Sequence, residues 1–181
     1  MPYLAAEAPR AAKWKKKIGA KGFRVGICWQ GKSGGRNDPE RSFPLAMLAP
    51  LAAIPGVRLI SLQHGEGEDQ IASLAGDMTV EEFSADFDAG ADAFVDSAAA
   101  MQSLDLVVTC DTSIAHLAGA LGRPVWVALK SVPEWRWQTA RSDSPWYPTM
   151  TLFRQTRRGD WESVFTAMAG QLSAQGKPRA P

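Results

Sequence analysis

Asp111, Thr112, Ser113 and His116 stand together between an apolar run, residues 104–110, and a stretch of small residues that ends at Gly122. This order reads as a strand, a tight polar turn and a helix. A helix that starts at the carboxyl edge of a strand presents free backbone N–H groups and the positive end of its dipole, which together favour an anion. Thr112 and Ser113 add hydroxyls to those amides, so phosphate oxygens are the natural guests. Asp111 suits either orienting a ligand hydroxyl or starting the helix, where the dipole stabilises a carboxylate. His116, one turn further in, has two readings, a phosphate contact or a satisfied buried hydrogen bond.

A second candidate is the loop after the first apolar run, Gln30-Gly31-Lys32-Ser33-Gly34-Gly35-Arg36-Asn37-Asp38. Its glycines let backbone approach a pyrophosphate, and Lys32 and Arg36 supply charge. It is neither a Walker A sequence nor a Gly-x-Gly-x-x-Gly fingerprint, so a ligand-free surface loop is an equal reading. Arg41 suits a phosphate or a carboxylate partner equally. Gln63-His64-Gly65 ends the second apolar run on the same expected edge. Asp86-Phe87-Asp88 has the Asp-x-Asp spacing of a divalent-metal motif, but lies in a Gly- and Ala-rich connection, where solvated carboxylates are the expectation and no metal is expected. Glu134-Trp135-Arg136-Trp137, Arg141, Asp143, Trp146 and Tyr147 crowd aromatics and charge into one long connection. Those indoles suit stacking on bases or sugar rings, packing over the end of the sheet, or homo-oligomerisation through the Trp-rich loop.

The elements that must position these residues follow from apolar periodicity. Runs at 23–29, 57–62, 105–110 and 124–129 are short, continuous and rich in Val, Ile and Leu, as expected of strands covered on both faces. Weaker strands are expected near 78–81 and 150–153. Helices are expected near 10–19, 44–53, 67–75, 92–103, 112–122 and 160–173, with Asp96 or a neighbour and Asp160 as caps and Gly122 as an exit. Strand alternating with helix implies an α/β, doubly wound parallel sheet with right-handed crossovers.

Bulk properties narrow the function. With 181 residues, one well-buried domain is expected. A net charge of +1 lacks the basic footprint of a nucleic-acid-binding domain, and the lysines at 13, 15, 16, 17 and 21 read as a solvated helix face. No apolar run approaches the roughly 20 residues of a membrane span, and the amino terminus lacks the form of a secretory signal; a cytoplasmic protein is expected. Cys28 and Cys110, the only two cysteines, read as small buried residues.

Asp111-Thr112-Ser113 with His116, Gly119 and Gly122-Arg123-Pro124-Val125 resembles the donor-side signature of heptosyltransferase-like (family 9-like) glycosyltransferases of GT-B architecture. Val25-Gly26-Ile27-Cys28-Trp29-Gln30-Gly31, Arg41-Ser42-Phe43-Pro44-Leu45 and Ser144-Pro145-Trp146-Tyr147-Pro148 through Leu152-Phe153-Arg154-Gln155 resemble it in the same order. The likeness is to the carboxyl-terminal half found in bacterial tetratricopeptide-repeat glycosyltransferase proteins. It implies a Rossmann-like half of a GT-B fold, divided as a linker and helix at 1–21, a nucleotide-sugar-binding domain at 22–174 and a disordered tail at 175–181. It also implies hexosyl or heptosyl transfer once joined to an amino-terminal acceptor domain that carries the general base, and no cofactor beyond the nucleotide sugar. The Pro-Tyr-Leu start resembles the connector from that half, as expected of a fragment or of a protein that lost its partner domain. The implied donor contacts are Gln30, Gly31, Lys32, Arg36, Arg41, Gln63, which would meet the nucleoside, and Asp111, Thr112, Ser113 and His116. The pattern departs where relatives have Asn-Pro and a histidine, for here stand Lys32-Ser33 and Gly35. The alternative expectation is a non-catalytic binding or assembly module that keeps the fold.

Overall fold

The computed structural model describes residues 2–32, 39–76, 78–89 and 93–175. Six parallel strands form one sheet: β1 (Phe23–Cys28), β2 (Val57–Ser61), β3 (Val80–Glu81), β4 (Leu106–Thr109), β5 (Val125–Leu129) and β6 (Met150–Arg154), in the order β3-β2-β1-β4-β5-β6. This is the doubly wound, Rossmann-like order, which reverses direction between β1 and β4. The register sets Cys28 beside Thr109, so both strands empty at one level of the sheet.

Helices cover both faces: α1 (Ala8–Ile18), α2 (Ala49–Ala52), α3 (Asp69–Ala72), α4 (Val95–Met101), α5 (Ser113–Ala120) and α6 (Trp161–Ala174). Alternate strand residues feed the two cores. Val107, Val125, Val127 and Leu129 pack with Trp14, Ala99 and Ala115 on the α1, α4 and α5 side. Leu106, Val108, Trp126 and Ala128 pack with Leu48, Phe165 and Met168 on the other. That is why the strands read as unbroken apolar runs rather than alternating ones. Gly26 sits where a Cβ would come within 2.4 Å of Leu104 Cδ1, so the residue that looks like a weakness in β1 makes room for two leucines.

Several expected helices are shorter than their patterns. The 44–53 segment is a 3-10 turn, Leu45–Leu48, followed by the single turn of α2, because Pro50 supplies no amide to a longer helix. The 67–75 segment is helical only over α3, and Gly76 follows in a left-handed conformation at φ +75°. At α5 the exit is as expected: Gly122 has φ +67°, its N–H donates to Gly119 O, and Arg123 N–H donates to Ala118 O, which is a Schellman closure. Asp160 caps α6 by accepting Ser163 N–H at 3.2 Å.

α4 is started by a carboxylate from outside it. Asp88 accepts the N–H groups of Asp96, at 2.8 Å, and Ser97, and takes the Ser97 hydroxyl as well. Asp96, expected as a cap, instead accepts the indole N–H of Trp14 at 2.6 Å and the guanidinium of Arg10 at 3.4 Å, which ties α1 to α4. The expectation of solvated carboxylates therefore fails for Asp88, which is 8% exposed. It holds for Asp86, whose exposed carboxylate pairs with Lys13 and Lys17. Those two lysines also lie over the Trp14 ring, while Lys15 and Lys16 are the solvated face that was expected. No helix among the described residues is long and apolar enough to cross a membrane.

Candidate functional site

A cleft of about 420 Å³ opens at the carboxyl ends of β1 and β4, where the sheet order reverses. Its lining includes Gln30, Gly31, Lys32 and Arg41 on one side and Thr112, Ser113 and Ile114 on the other. Open parallel sheets bind ligands at this point because the loops on either side diverge and leave a crevice.

The α5 wall has the character expected from the sequence. Thr112 takes the N-cap position with an extended backbone, and no side chain caps the helix. The first recorded bond of the turn is Ala115 N–H to Thr112 O, and the amides of Thr112, Ser113 and Ile114 have no acceptor among the described residues. The Thr112 hydroxyl is held by Thr109 Oγ1 at 3.0 Å, while Ser113 is exposed. Asp111 neither caps the helix nor lines the cleft; it is half-buried, beside His116 and Cys110, on both of which its charge acts.

On the facing wall, Phe43 buries itself against Trp161 and Phe165 and donates its N–H to Trp29 O, which runs the 41–43 segment alongside the exit of β1. Ser42 Oγ accepts Gly31 N–H at 3.1 Å. Arg41 is thereby laid over Gly31, where a Cβ would come within 2.6 Å of its guanidinium. Arg41 makes one weak hydrogen bond, to Lys32 O at 3.4 Å, and pairs with no carboxylate among the described residues. Arg36, with the glycines at 34 and 35, lies outside the described residues.

Two expected contacts are used differently. Gln63 reaches the cleft but its amide is committed. Oε1 accepts Trp29 and Gln30 N–H at 3.1 and 3.0 Å, and Nε2 donates to Gln30 O and Glu66 O at 2.9 and 2.8 Å. Gln63 is a staple that shapes the β1 exit, with its donors already engaged. His64 is exposed at the cleft, 3.6 Å from Glu68. His116 does not line the cleft. Its ring stacks on Trp137 at 5.2 Å, its Nδ1 pairs with Tyr147 Oη at 3.2 Å and its Nε2 with Arg136 Nη1 at 3.3 Å. Desolvation first, and Arg136 second, hold the imidazole below its ordinary value of 6.5. Both ring nitrogens of the half-buried His116 are thus engaged away from the cleft.

Sequence reasoning missed the far wall. Asp88, Ala93, Phe94 and Ser97 line the cleft through the turn before α4, where Phe94 is left-handed at φ 70°. A non-glycine in that conformation leaves no mark in local sequence. Cys28 and Cys110 are buried free thiols, and burial pushes both above the ordinary thiol value.

No family model matches the chain. Protein FlbA of Caulobacter vibrioides is 29% identical over 180 residues, which are 94% of this chain and 28% of that protein. Among solved structures, ADP-heptose LPS heptosyltransferase II of Escherichia coli matches with a TM-score of 0.66 at 16% identity, over 96% of this chain and 53% of that one. The E. coli heptosyltransferase WaaC with ADP matches at 0.57 and 17%, over 97% and 51%. Anabaena Alr3699/HepE in complex with UDP and glucose matches at 0.53 and 17%, over 94% and 44%. The chain thus spans about half the length of these enzymes, and its fold is that of one Rossmann-like half of a heptosyltransferase-like GT-B glycosyltransferase.

Proposed function

We propose that the cleft binds a nucleoside diphosphate sugar, with the diphosphate over the first turn of α5. The observation that carries this is the pairing, across one crevice, of helix-start amides that have no acceptor and a guanidinium that has no carboxylate partner among the described residues. The ligands named for two structural neighbours, ADP and UDP with glucose, supply the chemical class.

In a transfer of this kind an acceptor hydroxyl oxygen bonds to the anomeric carbon while that carbon's bond to the phosphate oxygen breaks. The electron pair leaves with the diphosphate. Donors aimed at that developing charge are each worth roughly 3–4 kcal/mol in a water-excluding site. The amides of Ser113 and Ile114 and the Arg41 guanidinium would supply them, with Lys32 at the rim. The acceptor's proton needs a base, which the resemblance assigns to an acceptor half beyond these 181 residues. Alone, the chain is therefore expected to bind donor and transfer little or nothing, without a metal.

Calorimetric titration with ADP, UDP, GDP and their sugars tests this. Saturable binding of at least one, abolished by Ser113→Asp, is the expected result. Silence across the series would overturn the reading in favour of a non-catalytic module that keeps the fold, and efficient transfer by the purified chain would overturn the division of labour.

A further inference from the structure

Trp14 is fully buried although lysines flank it at 13, 15, 16 and 17. Its ring meets Phe83 and Phe87 edge to face, with centroids 4.8 and 5.0 Å away, and its indole N–H donates to Asp96 Oδ1 at 2.6 Å. Arg10, one turn earlier on α1, reaches the same oxygen at 3.4 Å. α1 is thus fastened to a carboxylate that is only 4% exposed.

That carboxylate leads to the cleft. Asp96 and Asp88 hold each other: Asp88 N–H donates to Asp96 Oδ2 at 3.3 Å, and Asp96 N–H donates to Asp88 Oδ1 at 2.8 Å. Asp88 also takes the N–H and the hydroxyl of Ser97. Asp88, Phe94 and Ser97 line the far wall of the cleft, so a continuous path of hydrogen bonds runs from α1 to that wall. Both acidic positions need a carboxylate. Asp96 accepts from α1 on one oxygen and from Asp88 on the other, whereas an amide accepts on one side only and turns its NH2 toward a donor on the other.

The wall is also under strain. Asp88 and Phe94, at φ 49° and 70°, are two of the three non-glycine residues with positive φ among the described residues. Such conformations persist only where the surroundings enforce them, and they gather at ligand sites. Here the enforcing groups are the exchange between Asp88 and Asp96 and the α1 donors behind it.

We propose that Trp14 and Asp96 are positioning residues for the cleft: docking of α1 sets the far wall in the form that takes a ligand, so occupation of the cleft and docking of α1 favour one another. This rests on the reading of the cleft as a nucleotide site. Coupling of this kind is reciprocal, so the factor by which docked α1 strengthens nucleotide binding is also the factor by which bound nucleotide strengthens α1 docking.

The test compares four full chains: wild type, Trp14→Phe, Asp96→Asn and Met168→Ala. Met168 is a fully buried residue of α6 in the opposite core, so its truncation destabilises the fold without touching the cleft wall. All four are measured where circular dichroism shows them folded. Without ligand, hydrogen exchange reads the Ser97 amide, held by Asp88, against the Val108 amide of the central strand β4, a reporter of global unfolding. Protection of Ser97 relative to Val108 is expected to fall about tenfold in Trp14→Phe and Asp96→Asn and to stay put in Met168→Ala; unchanged relative protection in the first two overturns the proposal. With whichever of ADP, UDP and GDP the wild type binds, calorimetry is expected to show affinity lowered about fivefold or more in Trp14→Phe and Asp96→Asn, and unchanged in Met168→Ala. Bound nucleotide should slow exchange in α1 of the wild type by about the same factor, and not in Asp96→Asn. Affinity retained in all three variants, or lost equally in all three, overturns the proposal. A wild type that binds no nucleotide overturns the nucleotide reading instead, and the ligand-free exchange still decides whether α1 sets the wall.

Discussion

At the scale of single residues, Gly31 and Arg41 are one device. The missing Cβ of Gly31 is what allows the guanidinium to lie at the cleft, and Arg41 is a flexible side chain that can move aside. Because the clash falls on the far end of a flexible side chain, Gly31→Ala is expected to leave the melting temperature nearly unchanged while weakening nucleoside diphosphate binding at least tenfold; unchanged affinity would remove Arg41 from the site. His116 carries a pH prediction. Its imidazole, pressed by burial and then by Arg136, with Asp111 and Glu134 acting in the opposite sense, resists protonation in the folded chain. Below about pH 6.5 the unfolded chain binds the proton more readily, so stability falls as pH drops through the window between 6.5 and the lower folded value. Urea unfolding at about pH 7.5 and about pH 5.5 should show a smaller loss for His116→Gln than for the wild type. The residue types at the site were legible in the sequence, but their partners were not. Gln63 looked like a ligand contact because its chain position is right, and only the folded loops show its amide engaged by Trp29, Gln30 and Glu66.

Among elements, the start of α4 shapes the cleft, and the seat of Tyr147 on α5 fixes the surroundings of His116. Trp14→Phe keeps the ring packing against Phe83 and Phe87 but leaves the nearly buried Asp96 without its shortest donor. Leaving a buried polar partner unmade costs about 1–3 kcal/mol, which denaturant unfolding would read as a shifted midpoint. Burial works to raise Asp96, yet the Trp14 indole, the Asp88 amide and Arg10 together hold its carboxyl below the ordinary value. Gly119→Ala would push against the base of the Tyr147 ring, where no flexible tip can yield. Overpacking of that sort costs about 1–3 kcal/mol, and the same substitution should separate Tyr147 from His116, visible as a changed imidazole titration by NMR. Periodicity located the six strands of the sheet and the long helices α1 and α6, because all but the two-residue edge strand β3 bury apolar side chains at regular spacing. It overstated α2 and α3: Pro50, in the first turn of α2, supplies no amide to a helix running in from Leu45, and α3 ends at Ala72, before the left-handed Gly76.

For the molecule as a whole, a ligand that binds only the folded chain stabilises it by mass action. At about one hundred times its dissociation constant a nucleoside diphosphate should add about 2.7 kcal/mol, or roughly 5–10 °C in melting temperature for a chain of this size. Ser113→Asp should lose that increment while melting normally without ligand. The amino-acid sequence by itself determined the parallel α/β sheet, the turn at Asp111-Thr112-Ser113 and the glycine exit of α5, because each follows from local period, backbone conformation and burial on two faces. Tertiary structure alone decided which of the polar residues face a hollow. Hydrogen-bond partners for Gln63, Asp88, Asp96 and His116 come from segments up to 86 positions away, as from Arg10 to Asp96. No local pattern encodes such a pairing, and it is the pairing that leaves some donors spent and others open to a ligand.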